Sequence, residues 1–141
     1  MTLWSGEQAR AVFASPDPDW AVFYAVFRRA GLVGSFRNGC IAGRRTRYHY
    51  YSLNGQTMNN RPWTDGALYV LPQERFVRPV GSAIPFEEWV CREPVAPLGK
   101  LGVAPDDFLY RNKVAVHPDG EPLVRTWLLY KLRACSIRCK R

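Results

Sequence analysis

The sequence predicts an α+β domain: two N-terminal helices, a twisted, mostly antiparallel sheet of about five strands, and a C-terminal helix. Three observations predict this order. Helix-start signals lie in the first 20 residues, short apolar runs separated by glycine and proline fill the middle, and apolar residues recur near the helical period after residue 121. Because no linker divides the 141 residues, we expect one domain over 1–141, with a frayed basic tail at about 134–141.

Capping signals and prolines predict the two N-terminal helices. Ser5 and Gln8 have the spacing of a capping box, and the helix that they begin should end before Pro16. Asp17 is placed to cap a second helix, for which Gly31 supplies the usual stop. At the other end of the chain, one apolar stripe predicts the face by which the C-terminal helix docks. The stripe comprises Leu123, Val124, Trp127, Leu128, Leu132 and Cys135.

The strands are predicted from short runs with high β-propensity. These runs are 47–53, 67–71, 87–92, 97–103 and 113–117. The continuous apolar run 67–71 indicates a central strand that ends at Pro72. Asn54 followed by Gly55 is the strongest hairpin-turn signal in the chain, and the polar stretch after it predicts a loop.

Positive charge is concentrated in two segments of the chain. The formal net charge is +8, yet residues 20–64 contain no acid and seven arginines, and residues 122–141 are again basic without an acid. The segment 65–121 carries nine acids and six bases. Such segregation is the usual electrostatic footprint of a polyanion partner, and arginine suits forked contacts with phosphate.

The stretch 43–54 combines these arginines with aromatic residues. If it is a strand, Arg45, Arg47, His49 and Tyr51 share one face and Thr46, Tyr48, Tyr50 and Ser52 the other. Arginine interleaved with aromatic residues is typical of surfaces that bind single-stranded nucleic acid. The sequence therefore favours a small module that binds a phosphate-bearing partner, nucleic acid above all. Its predicted ligand-binding residues are Arg44, Arg45, Arg47, Tyr48, Tyr50, Arg61 and Trp63.

The chain has two histidines, which define an alternative function. His49 lies in the Arg/Tyr-rich stretch and His117 ends a predicted strand. Two histidines with a nearby cation can cleave RNA, one as general base and one as general acid. The alternative is therefore a small endoribonuclease of toxin type that uses His49 and His117. The structural interpretation is that His49 hydrogen-bonds within the sheet and His117 caps a turn.

A further enzymatic alternative rests on a class-level comparison. His49 followed by the predicted strand that contains Tyr69 resembles NAD-dependent ADP-ribosyltransferases, in which a His-Tyr-Glu set grips the nicotinamide. In this chain no convincing glutamate completes the set.

The remaining signals concern metals, partners and compartment. Cys135 and Cys139 could share a helix face, but no C-x-x-C or histidine pair completes four ligands, so the sequence predicts neither a metal site nor a cofactor. No apolar run approaches the length of a membrane span, and without an export signal the cysteines favour a cytoplasmic protein. The segregated charges also permit a third class of function, a protein-interaction domain.

Overall fold

The computed structural model describes residues 10–138 and has the predicted α+β class. Its helices are α1 (Pro18–Val26), α2 (Gly55–Asn59) and α3 (Leu123–Arg138). Its strands are β1 (Val12–Ala14), β2 (Phe36–Ala42), β3 (Arg47–Asn54), β4 (Gly66–Val70), β5 (Trp89–Cys91), β6 (Gly99–Val103) and β7 (Ala115–His117). The capping box at Ser5 and Gln8, Cys139 and the end of the basic tail lie outside the described residues.

The strands form three small sheets, so the prediction of one sheet of about five strands was wrong. β2, β3 and β7 form the largest sheet, in which β3 lies in the centre, antiparallel to β2 and parallel to β7. β1 pairs with β5, and β4 pairs with β6, both antiparallel. Several strands are bounded by glycine and proline, which shorten the ladders because proline cannot donate a ladder hydrogen bond.

The prediction of two N-terminal helices was also wrong. Val12–Ala14, assigned by the sequence pattern to the first helix, is strand β1 and pairs with Trp89–Cys91. A β-branched valine and a phenylalanine favour an extended backbone once a partner strand is available. The second predicted helix is α1, with Asp17 as its N-cap: the Asp17 carboxylate accepts a hydrogen bond from the Trp20 N–H at 2.8 Å.

Helix α1 ends at Val26 and not at Gly31. The backbone N–H of Arg28 donates to the Pro62 carbonyl, and that of Thr64 donates to the Val26 carbonyl. These bonds draw the chain after α1 into a short bridge between Phe27 and Trp63.

Strand β4 is not a central strand. It pairs with β6 alone, and its Tyr69 and Val70 are each 56% exposed. The strand is anchored at its first residue, where a Cβ on Gly66 would lie 1.9 Å from the Ala25 carbonyl oxygen of α1. Glycine is therefore required at this crossing of helix and strand.

The Asn54–Gly55 dipeptide begins a helix and does not form a hairpin turn. The Asn54 side chain accepts a hydrogen bond from the Thr57 N–H at 3.1 Å, which makes Asn54 the N-cap of α2. Asparagine serves both motifs, because its side chain can satisfy backbone donors in a turn or at a helix start.

Helix α3 forms as predicted, and Trp127 of the predicted docking stripe packs on the core, but most of the stripe faces solvent. Thr126, Tyr130 and Ala134 are buried, whereas Leu128 and Leu132 of the predicted docking stripe are 67% and 71% exposed. Tyr130 packs edge-on against Tyr48 of β3. Aromatic contacts thus set the rotation of the helix, and the aliphatic residues of the predicted stripe were wrong as docking residues.

The hydrophobic core lies on both faces of β3. His49 and Tyr51 face α1 and the segment around Phe108, while Tyr48 and Tyr50 face α3. Within residues 10–138, no helix combines the length and the apolar character needed to cross a bilayer.

Candidate functional site

The tyrosines of β3 are part of the core. Tyr50 is 2% exposed and packs against Tyr130 of α3. Tyr48 is half-buried between Trp127 and Tyr130, with the Lys131 ammonium 5.1 Å from its ring centroid. Neither ring therefore offers a free face on which a base could stack.

The arginines around the β2–β3 loop face solvent. Ala42 pairs with Arg47, so residues 43–46 form a four-residue hairpin loop that carries Arg44 and Arg45, both exposed. A Cβ on Gly43 would lie 2.3 Å from the Thr46 carbonyl oxygen, so the loop closes tightly at that glycine. The loop thus carries two consecutive, exposed arginines at the end of a hairpin.

Two further arginines lie beside this loop. Arg47 is 41% exposed and Arg78 is 41% exposed, and both contact the buried carboxylate of Glu87, at 3.9 Å and 3.4 Å. Arg47 also lies 3.5 Å from the Asp17 carboxylate. We call Arg44, Arg45, Arg47 and Arg78 the arginine tip. Its four guanidinium groups exceed these two carboxylates by two positive charges.

The structure places the other predicted ligand residues elsewhere. Arg61 is exposed and follows α2, at the opposite end of the β2–β3 hairpin from the arginine tip. Trp63 packs on the core, with its ring centroid 5.8 Å from that of Phe108. The acid-free segment is therefore two separate basic regions, which its linear order could not show.

His49 is the centre of a polar cluster on the opposite side of β3 from α3. Its Nε2 atom lies 3.0 Å from the Asp17 Oδ1 atom and 3.4 Å from the Cys40 Sγ atom. Its Nδ1 atom lies 3.1 Å from the Tyr110 hydroxyl, whose ring stacks on the imidazole. Register explains part of this cluster, because Cys40 on β2 pairs directly with His49.

Burial and hydrogen bonding shift the pKa values of the two acids of this cluster, Asp17 and Cys40, in opposite directions. Burial opposes ionisation of Asp17, but its hydrogen bonds from His49 and from the Trp20 N–H, with the charge of Arg47, outweigh burial and lower its pKa. Burial and the neighbouring Asp17 carboxylate raise the pKa of the Cys40 thiol to about 12. The thiol is therefore not a ready nucleophile.

His117 occupies a second polar cluster. It is 1% exposed, and its Nδ1 and Nε2 atoms lie 2.8 Å and 2.9 Å from the hydroxyls of Ser52 and Ser35. Burial, with the positive charge of Arg37, lowers its pKa. Nearby, Glu121 accepts two hydrogen bonds from the Arg133 guanidinium at 2.6 Å and 2.7 Å.

The structure does not bring the two predicted catalytic histidines together. His49 shares a face of β3 with Tyr51, whereas His117 contacts Ser52 on the other face. His117 also pairs with Asn54, five residues along the strand from His49, which is roughly 16 Å of extended chain. Tyr69 lies in a different sheet from His49 and is exposed, so the His-Tyr pair of the ADP-ribosyltransferase comparison is not assembled either.

An apolar groove of about 1060 Å³ lies between α1, β1 and β4. Burial raises the pKa of Glu88, which lies in its wall beside Trp89. The mostly apolar wall suits an apolar group and not a phosphate.

Sequence reasoning missed Arg78, Asp17, Cys40 and Tyr110 as members of polar clusters. Arg78 and Tyr110 come from distant segments, so no local spacing could reveal them. Asp17 was identified only as a helix cap, although one of its oxygens also contacts His49. The pairing of Cys40 with His49 could have been read from a hairpin centred on residues 43–46.

The chain matches no protein-family model, and comparison with curated proteins and with solved structures finds no significant similarity.

Proposed function

We propose that this protein binds a phosphate-bearing polymer, specifically nucleic acid, through the arginine tip. The observation that supports the proposal is the position of Arg44 and Arg45, consecutive and exposed on a tight hairpin loop. Arg47 and Arg78 flank them and share the Glu87 carboxylate. A short, closed loop that carries several arginines favours contacts with phosphates, because little loop entropy is lost on binding.

The mode of binding that we propose is contact with the phosphate backbone. Tyr48 and Tyr50 are packed against α3, so the aromatic rings next to the arginines do not stack on bases. Contacts to phosphate position a protein on nucleic acid but carry no base information. We therefore expect similar affinities for unrelated sequences of equal length.

The test measures how affinity depends on salt. Fluorescence anisotropy with a labelled single-stranded oligonucleotide, repeated over a salt series, gives the slope of log affinity against log salt. Each neutralised phosphate of a single strand contributes about 0.7 to this slope. If both loop arginines contact phosphates, Arg44→Gln with Arg45→Gln should lower the slope by about 1.4.

The matched control removes two exposed arginines from the other basic region. Arg29→Gln with Arg61→Gln changes the net charge by the same amount and should leave most of the slope intact. Equal losses in the two double variants would show that net charge alone drives binding and would overturn the assignment to the tip. An absence of binding by the wild-type protein at low salt would overturn the proposed function itself.

A further inference from the structure

Three different donor atoms converge at the His49 cluster. Asp17 Oδ1, Cys40 Sγ and His49 Nε2 lie within 4.8 Å of one another, and all three side chains are buried or nearly so. Each comes from a separate element: the N-cap of α1, strand β2 and strand β3. The fold therefore brings a carboxylate, a thiol and an imidazole to one point.

This arrangement differs from that of a cysteine-histidine-aspartate catalytic triad. In a triad the two ring nitrogens have separate partners, one the nucleophile and the other the orienting acid. Here the thiol and the carboxylate both contact Nε2, while Nδ1 faces the Tyr110 hydroxyl. A protonated thiol, which is a weak donor, and a carboxylate, which is an acceptor, therefore meet at one nitrogen that carries one proton at most.

We propose that Asp17, Cys40 and His49 bind a single zinc ion. Zinc is coordinated in proteins by thiolate, imidazole and carboxylate, and three protein ligands leave the fourth tetrahedral position for water. The proposal departs from the sequence prediction of no metal site, which rested on the absence of a C-x-x-C spacing. Here the ligands are gathered by strand register and by a helix cap.

The two distances from the histidine nitrogen are close to those of this coordination. Ordinary zinc–ligand bond lengths and tetrahedral angles place the nitrogen about 3.4 Å from the oxygen and about 3.6 Å from the sulfur, and the oxygen about 3.6 Å from the sulfur. The structure has 3.0 Å and 3.4 Å for the first two pairs, and the oxygen and the sulfur lie within 4.8 Å of each other. Side-chain rotation supplies the separation of about 0.2 to 0.4 Å that the first two pairs need.

The surroundings supply the other requirements of such a site. A histidine that binds a metal through one nitrogen usually donates its other N–H to a neighbouring acceptor, and the Tyr110 hydroxyl is in position to accept from Nδ1. The thiolate and the carboxylate balance the two charges of the ion. Arg47, which now lies 3.5 Å from Asp17, retains Glu87 as a partner when the Asp17 charge is taken by the metal.

The test uses Co²⁺ as a spectroscopic substitute for Zn²⁺. Because Cys135 is exposed and Cys139 lies four residues further along the chain, both are first replaced by serine to remove a competing pair of thiols. Titration of this background protein with Co²⁺ should give a thiolate-to-cobalt charge-transfer band that saturates at one equivalent. Competition by Zn²⁺ should abolish the band.

Two cysteine substitutions in that background identify the thiolate ligand. Cys40→Ala should eliminate the band, whereas Cys91→Ala, which removes another buried strand cysteine, should retain it.

Asp17→Asn keeps an oxygen that can cap α1 and should weaken Co²⁺ binding at least about tenfold, with the circular dichroism spectrum unchanged. No band in the background protein, or a full band in Cys40→Ala, would overturn the proposal. Neither result bears on nucleic-acid binding, which is measured separately.

Discussion

The two histidines of this chain lie in one three-stranded sheet, yet their environments differ in kind. Each ring nitrogen of His117 faces one serine hydroxyl. At His49, a thiol and a carboxylate meet the same nitrogen. A histidine with one partner for each nitrogen has its hydrogen-bonding capacity filled by the fold, which is the mark of a structural residue. At His49 an imidazole, a thiol and a carboxylate converge instead, which is the arrangement on which the proposed zinc site rests.

The largest expected effect in this comparison is the loss of stability on removing His117. His117→Ala leaves a cavity in a site that is 1% exposed and leaves the Ser35 hydroxyl without its imidazole partner. We expect a loss of about 3 kcal/mol in the free energy of unfolding, measured by urea denaturation.

The matched substitution His49→Ala should cost less, about 1 to 2 kcal/mol, because Asp17 keeps its bonds to the Trp20 N–H and to Arg47. Its main effect should be the loss of Co²⁺ binding, which His117→Ala retains. A larger loss of stability for His49→Ala than for His117→Ala would reverse our assignment of the two roles.

The pH dependence of stability should report the burial of His117. The pKa of His117 is lowered in the fold by burial and by Arg37 and Arg133, against the opposing charges of Glu121 and Asp119. The unfolded chain therefore binds the proton more readily. The stability from neutral His117 is full above the ordinary histidine pKa of about 6.5, and it is lost as the pH falls through the lower pKa of the folded state.

Urea midpoints at about pH 7.5 and about pH 5.5 test this expectation. The wild-type protein should lose more stability on acidification than His117→Gln does. Identical losses in the two proteins would contradict the assignment to His117.

The smallest expected effect concerns Tyr51, beside His49. Its ring lies among Phe23, Phe108 and Tyr110, and its buried hydroxyl has no hydrogen-bond partner among residues 10–138. Tyr51→Phe removes that unsatisfied group and should raise the free energy of unfolding by about 1 kcal/mol. A thermal melt that shows a clear loss of stability would indicate that the hydroxyl has a partner in solution.

Local physical chemistry was enough to predict some elements. The Asp17 cap, the strand at 47–54 and the C-terminal helix all have signals within a few residues. The distribution of strands among sheets depends on pairings across many residues, such as that of Val12 with Cys91, and no local pattern encodes these. The face by which α3 docks depends on Tyr130 meeting Tyr48, a contact between distant segments.

In the candidate sites too, residues with a local signal could be predicted from the sequence, and residues from distant segments could not. Arg44, Arg45 and His49 could be identified from the sequence, but Arg78 reaches the tip through contacts with Glu87 and with the Pro85 and Phe86 carbonyls. The aromatic residues that predicted a stacking surface instead form the core on both faces of β3. Burying Tyr50 and Tyr51 removes a large apolar area from water, and this stabilises the fold.

The parallel pairing of β3 with β7 has a consequence for synthesis of the chain. β3 meets β2 across a short loop and can pair with it early, whereas Ser52 and His117 lie 65 positions apart. At ordinary rates of translation β3 is synthesised about 3 to 13 s before β7, which is the partner of its second edge. During that interval the nascent hairpin has an open edge of unpaired backbone N–H and C=O groups, which is a site where a chaperone or a second nascent chain can bind.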